Sequence, residues 1–190
     1  MTTRLATPQD AAEISEVITD AFADGGRVAA LWTAVVAADL HRASVVAVEG
    51  HRVVGHVGMS HAWLDSRREL VDVLLLSPLS VRMDRQGEGI GTELVAAAIH
   101  AADELGAPAV FLEGSPDYYG ERGFERANLK GFQGPSRRIP EKAFQVAVLS
   151  THAPWMTGRV VYRDVWWIHD AAGLRDPELL AIEEQFEADR

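Results

Sequence analysis

The stretch SVRMDRQGEGIGTELV, residues 80–95, places Gly87, Gly89 and Gly91 directly before a segment with helical apolar spacing. Glycine costs about 1 kcal/mol against alanine inside a helix, and serine or aspartate makes the better cap. What glycine offers at such a point is access. The N–H groups of a helix N-terminus carry the positive end of the dipole, and without a Cβ an anion can approach them closely. The chemistry is therefore that of phosphate binding. A nucleotide P-loop, GxxxxGK[ST], needs a lysine that is missing here, and Gly87-x-Gly89-x-Gly91 does not fit the GxGxxG dinucleotide fingerprint.

The elements around this loop follow from hydrophobic period. TTRLA reads as a short first strand. Thr7-Pro8 then opens an amphipathic helix in which Ala11, Ile14, Val17, Ile18, Ala21 and Phe22 keep helical spacing. ADGG interrupts it, and RVAALWTAVVAADL reads as a second helix. ASVVAVEG and RVVGHVGMSHAWL read as strands joined by a tight turn at Glu49-Gly50-His51. ELVDVLLLSPLSVRM is a more apolar strand, and Pro78 inside it predicts an edge or a bulge. In the helix after the glycines, Ile90, Leu94, Ala98, Ala101 and Leu105 form one stripe, closed by Gly106 at the position after the C-cap. APAVFLEG is a short buried strand, SPDYYGERGF holds one helical turn, and residues 127–141 form a polar loop. AFQVAVLS and GRVVYRDVWWI read as late strands. DPELLAIEEQFEADR reads as a terminal helix with Asp176 as N-cap and Pro177 at its first position.

The totals limit what the chain can be. Its 190 residues, 47% hydrophobic, fit one domain with a proper core. With no cysteine there is no thiol nucleophile, thiolate zinc site or redox switch, and no metal is expected. The 28 acidic residues exceed the 18 basic ones by ten, a balance that argues against nucleic acid and anionic membranes as partners. The first residues lack a secretory layout, and no apolar run approaches the ~20 residues that span a bilayer. The expectation is a cytoplasmic protein.

Gln86-Gly87-Glu88-Gly89-Ile90-Gly91 matches the pattern Q/R-x-x-G-x-G/A, and LLLSPLSVRMDRQGEGIGTELV resembles the strand–loop–helix unit of the GNAT superfamily of acyl-CoA-dependent N-acetyltransferases. A second element resembles the same family. After the short strand AVFLEG comes DYYGERGF, similar to its Y-x-x-x-G-F signature, with Tyr119 and then Gly123-Phe124. The resemblance covers roughly residues 2–126. It implies a mixed α/β fold with a mostly antiparallel sheet of six to seven strands, splayed at the central strand near Pro78 and flanked by helices. Residues 1–170 would form the N-acetyltransferase domain, with residues 171–190 a C-terminal helix of the same domain.

The resemblance also implies roles. Acetyl-CoA would be the co-substrate, threaded between the strand of Leu79, Ser80 and Val81 and the strand of Phe111, Leu112 and Glu113. Backbone N–H groups near Leu79, Ser80 and Val81 would hold the acetyl and pantetheine carbonyls. Gln86, Gly87, Glu88, Gly89, Ile90, Gly91 and Thr92 would cradle the phosphates. Tyr119 would be the general acid, since a phenol of pKa about 10 stays protonated at neutral pH and still donates to a thiolate. Tyr118 is read as a packing residue or part of the cofactor wall.

The base stays open. Leu75 and Ser77 cannot serve, and Asp72, His56, His61 or a water relay remain. Val160, Val161, Tyr162, Trp166 and Trp167 are read as core packing, with a dimer face as the alternative.

The expected activity is transfer of an acetyl group from acetyl-CoA to a primary amine, on a small molecule or a protein, by direct attack in a ternary complex. A non-catalytic acyl-CoA-binding or sensor module of the same fold is the alternative. A homodimer is compatible with the resemblance.

Overall fold

The computed structural model describes residues 1–173; the expected terminal helix, with Asp176 and Pro177, lies outside them. The fold is mixed α/β, with a mostly antiparallel sheet flanked by helices. Of the nine strands among the described residues, seven have four or more residues. The described residues divide into two compact units, residues 1–60 with 76–105 and residues 61–75 with those from Gly106 onward.

The first unit contains β1 (Thr2–Leu5), α1 (Ala11–Phe22), α2 (Arg27–Ala37), β2 (His41–Glu49), the opening of β3 (Arg52–Ser66), the end of β4 (Leu70–Val81) and α3 (Ile90–Glu104). β1 and β3 both pair antiparallel with β2. Thr7 precedes a short 3-10 turn, Pro8–Asp10, that leads into α1. Its N–H and hydroxyl both donate to the Asp10 carboxylate, at 2.7 and 2.9 Å. Arg4 donates two more bonds to that carboxylate, each 2.7 Å.

Asp24, in the ADGG break, accepts the N–H groups of Gly26, Arg27 and Val28 and so caps α2. Bare positions in β3 admit helices on opposite faces, as odd and even strand residues must. A Cβ at Gly55 would meet Leu94 and Ile90 of α3 at 2.8 and 3.1 Å, whereas one at Gly58 would enter the Trp32 ring of α2.

The second unit contains the end of β3, the opening of β4, β5 (Ala109–Glu113), α4 (Pro116–Gly120), β6 (Glu125–Arg126), β7 (Phe132–Gln133), β8 (Phe144–Val148), β9 (Gly158–Val161) and α5 (Asp164–Ile168). β4 and β5 are parallel through two pairs, Leu74 with Val110 and Leu75 with Phe111. β8 pairs antiparallel with β5 and β6, while β9 pairs antiparallel with β3 and parallel with β7. Phe111, Phe132 and Phe144 are buried together, with ring centroids 5.0 and 5.6 Å from that of Phe111.

Several sequence expectations change here. Of the two expectations for Pro78 the edge falls and the bulge is left, since Pro78 is buried within a strand ordered between β3 and β5, after a cis Ser77–Pro78 peptide. GRVVYRDVWWI is not one strand, because β9 stops at Val161 and α5 begins at Asp164, whose carboxylate accepts the N–H of Val165. Tyr162, Val165 and Trp166 are buried, as core packing requires, but Trp167 and Ile168 are exposed. The segment read as a polar loop holds a 3-10 turn, Ala127–Lys130, and β7. Its two ends are tied by a bond from the Asn128 amide to Glu141.

Candidate functional site

In the first unit, β4 delivers Leu79, Ser80 and Val81 to the glycine loop. Ser80 is buried, with Leu79 and Val81 half-buried on either side of it. Arg82 leaves the strand with its N–H donating to Val54 O at 3.0 Å, and a 3-10 turn, Met83–Arg85, follows. The Gln86 side chain reaches back to Val81 O at 3.1 Å, tying the start of the loop to the end of the strand.

Gly87 and Gly89 then take left-handed backbone, φ +81° and +84°, where an ordinary side chain is strained. Nothing lies within 4 Å of where a Cβ would stand on either one. Gly89 is the N-cap of α3, and its carbonyl accepts the N–H groups of Thr92 and Glu93. Helix geometry leaves the N–H groups ahead of Thr92 without intrahelical acceptors. Ile90 turns inward and is buried, Gly91 lies in the first helical turn, and Gln86, Gly87, Glu88, Gly89 and Thr92 are exposed.

Arg85 anchors this loop by ion pairs with Glu88, 2.9 Å away, and with Glu49 at the end of β2. The two carboxylates raise the guanidinium's pKa, and Arg85 in turn lowers that of Glu49. A loop whose glycines are open on the side a Cβ would occupy, at the positive end of a fifteen-residue helix, fits a phosphate-bearing ligand.

His56 is also in this unit and is fully buried. Its Nε2 bonds the Ser44 hydroxyl at 2.9 Å, its ring lies 5.1 Å from that of Trp32, and Nδ1 has no partner. Burial pushes its pKa down to about 3. An enclosed imidazole whose pKa is lowered this far is a weak proton acceptor, which counts against a role as base toward an amine.

In the second unit, Tyr119 sits on α4, whose N-cap Ser115 accepts the Tyr118 N–H at 3.4 Å. The Tyr119 N–H donates to Ser115 O, and its own carbonyl accepts the N–H groups of Arg122 and Phe124. Gly123, φ +88°, makes that return possible. Phe124 thereby folds back with its ring 5.8 Å from that of Tyr119, which also meets the Tyr118 ring at 4.9 Å. This is the physical content of the Y-x-x-x-G-F spacing: a left-handed glycine closes the turn and the phenylalanine braces the phenol.

The structure brings His61 and Asp72, candidates from separate strands, into one hydrogen bond of 2.8 Å. It adds Arg163, donating to His61 Nδ1 at 3.0 Å and lying over the Trp63 ring at 4.3 Å. An arginine can only donate, so His61 carries its proton on Nε2 and gives it to Asp72. His61 is buried and Asp72 is exposed. Glu113, at the end of β5, accepts the buried Tyr162 hydroxyl at 2.9 Å and the Gly173 N–H at 3.0 Å. Burial, together with the Glu113 charge, holds the Tyr162 phenol well above its ordinary pKa. Arg163 was invisible to motif reasoning because it lies 102 residues from His61. Among the described residues there is no group of three or more His, Asp or Glu side chains placed to hold a metal ion. No helix among them is long and apolar enough to cross a membrane.

The pattern of the acetyltransferase (GNAT) family matches residues 12–124, more than half of the chain. The protein belongs to that family of acetyltransferases. The uncharacterized N-acetyltransferase YjhQ of Escherichia coli K12 is 29% identical over 157 residues, 80% of this chain and 86% of YjhQ. Among solved structures, the GNAT family N-acetyltransferase YhbS of Escherichia coli, in complex with CoA, is 27% identical with a TM-score of 0.79. That match covers 87% of this chain and 91% of the other. A GNAT family acetyltransferase from Brucella melitensis, in complex with acetyl-CoA, is 28% identical with a TM-score of 0.69, covering 87% and 97%.

Proposed function

We propose that this protein transfers the acetyl group of acetyl-CoA to a primary amine by direct attack in a ternary complex. The observation that carries the reading is the left-handed Gly87–Gly89 loop at the entrance to α3, open where side chains would stand. The likeness to proteins whose structures hold CoA and acetyl-CoA supports it. Residues 1–170 act in this reading as one acetyltransferase domain.

Gln86, Gly87, Glu88, Gly89, Ile90, Gly91 and Thr92 form the phosphate cradle, and the backbone of Leu79, Ser80 and Val81 binds the acyl and pantetheine carbonyls. The neutral amine attacks the thioester carbonyl carbon, forming the C–N bond. As the C–S bond breaks, Tyr119 gives its phenolic proton to the departing thiolate, and the proton lost by the amine passes to a base. Asp72, His56, His61 and water remain the candidates for that base, and the lowered pKa of the enclosed His56 counts against it.

The test has two stages. Calorimetric titration with acetyl-CoA should give micromolar binding. Release of CoA thiol in the presence of amines should then report turnover, and no cysteine of the protein interferes with that assay. Tyr119→Phe should lower turnover about 10²-fold, the lower end for general acid catalysis, without weakening acetyl-CoA binding. Absence of acetyl-CoA binding by folded protein would defeat the reading. Binding without turnover on any amine would favour the sensor alternative.

A further inference from the structure

We infer that Gly114 is a positioning residue for Tyr119: its missing side chain is the seat on which the phenol ring rests. The inference rests on the reading of Tyr119 as the acid. A Cβ built on Gly114 would lie 2.5 Å from Tyr119 Cε2 and 2.9 Å from Cδ2, closer than real carbon contacts allow. Backbone conformation does not account for the glycine, because Gly114 is not among the residues with positive φ. Space is what remains.

Neither partner can retreat easily. The Gly114 N–H donates to Ala143 O at 3.0 Å, and its carbonyl accepts the side chain of Gln145, a buried amide, at 3.1 Å. The backbone at 114 is thus held from both sides. Tyr119 is held by the Ser115 carbonyl and by the returning N–H groups of Arg122 and Phe124, and its ring meets the rings of Tyr118 and Phe124. Any side chain at 114 must therefore push the ring aside by about an ångström to reach ordinary contact. A displacement of that size in a proton donor is enough to cost up to about 10²-fold in rate. The strand β5 ends one residue earlier, so this glycine joins the sheet directly to the turn that carries the phenol.

The test is a cycle of Gly114→Ala and Tyr119→Phe. Gly114→Ala should lower kcat about 10- to 100-fold, leaving KM for acetyl-CoA unchanged. In the Tyr119→Phe background it should cost nothing further, since the group it positions is already gone. Full kcat in Gly114→Ala, or the same loss in both backgrounds, overturns the inference. A fluorine NMR spectrum of protein carrying fluorotyrosine, which has only Tyr118, Tyr119 and Tyr162 to assign, reads the geometry separately. Gly114→Ala should move the Tyr119 resonance and leave that of Tyr162 in place; an unmoved Tyr119 resonance also overturns it. If Tyr119→Phe keeps full turnover while the resonance moves, the acid assignment fails and the seat stands only as packing, which defeats the positioning role. Should Gly114→Ala fold poorly, Gly114→Ala with Tyr119→Leu should fold better than Gly114→Ala alone, and failure to do so counts against the clash.

Discussion

The ring of Trp32 stands where a side chain at residue 58 would have to be: a Cβ on Gly58 would lie 2.4 Å from Cζ3 and 2.5 Å from Cη2. Gly58→Ala should therefore destabilise the fold by about 1–3 kcal/mol, as overpacking does, and lower Tm by roughly 2–10 °C. Thermal unfolding measures this. A variant that also carries Trp32→Leu should lose less than the two single losses added together; strict additivity would remove the steric account.

Gly87 and Gly89 differ from Gly58 in kind, because their surroundings are open and only their left-handed backbone demands glycine. Gly89→Ala should cost about 1–2 kcal/mol of stability and weaken acetyl-CoA binding at least tenfold. Gly106 is a matched control, with φ +74° and equally open space at the end of α3. Gly106→Ala should cost the same stability and leave acetyl-CoA binding intact. Equal binding losses in both variants would mean that the loop has no special part in holding the ligand.

His56 gives the folded protein a proton deficit in acid. Its pKa in the fold is about 3, against about 6.5 in the unfolded chain. Below pH 6.5 the unfolded state takes up a proton that the folded state refuses, so stability falls as pH falls toward 3. The slope approaches about 1.4 kcal/mol per pH unit. Denaturant midpoints at pH 7, 6 and 5 should show this decline, and His56→Gln should flatten it by one proton. An unchanged slope in the variant would contradict the burial argument.

The Arg4–Asp10 pair acts lower on the pH scale. The Arg4 guanidinium holds the Asp10 carboxyl well below the usual carboxylate range, with help from Thr7. Its stabilisation is complete above the unfolded pKa of about 3.9 and is lost as pH falls below that value. Arg4 is partly exposed, which limits the contribution to about 1–2 kcal/mol. Asp10→Asn should therefore be less stable than the parent at pH 7 by that amount, and the difference should narrow as pH falls from 4 to 2. A constant difference across that range would show that charge is not the cause.

Local features were readable from sequence, and features built by folding were not. The glycine loop and the Y-x-x-x-G-F turn are short-range devices, each needing only a few neighbouring residues to fix its backbone. α5 was misread because Val160, Val161, Tyr162, Trp166 and Trp167 carry the β-branched and aromatic character of a strand. Burial of Val165 and Trp166 on a short helix overrode that propensity. The His61–Asp72–Arg163 contacts join three distant segments, and no spacing in the sequence reports them. Gly114 was in plain view, but its meaning depends on where the Tyr119 ring comes to rest.

Neither compact unit is a continuous length of chain: the path leaves the first unit after Ser60, re-enters at Leu76 and leaves again after Leu105. No single truncation can isolate one half for study, and any one cut in the backbone leaves at least one unit in two pieces. Dissecting this protein will take split-and-reassembled fragments, in which complementation, rather than autonomous refolding, is the readout.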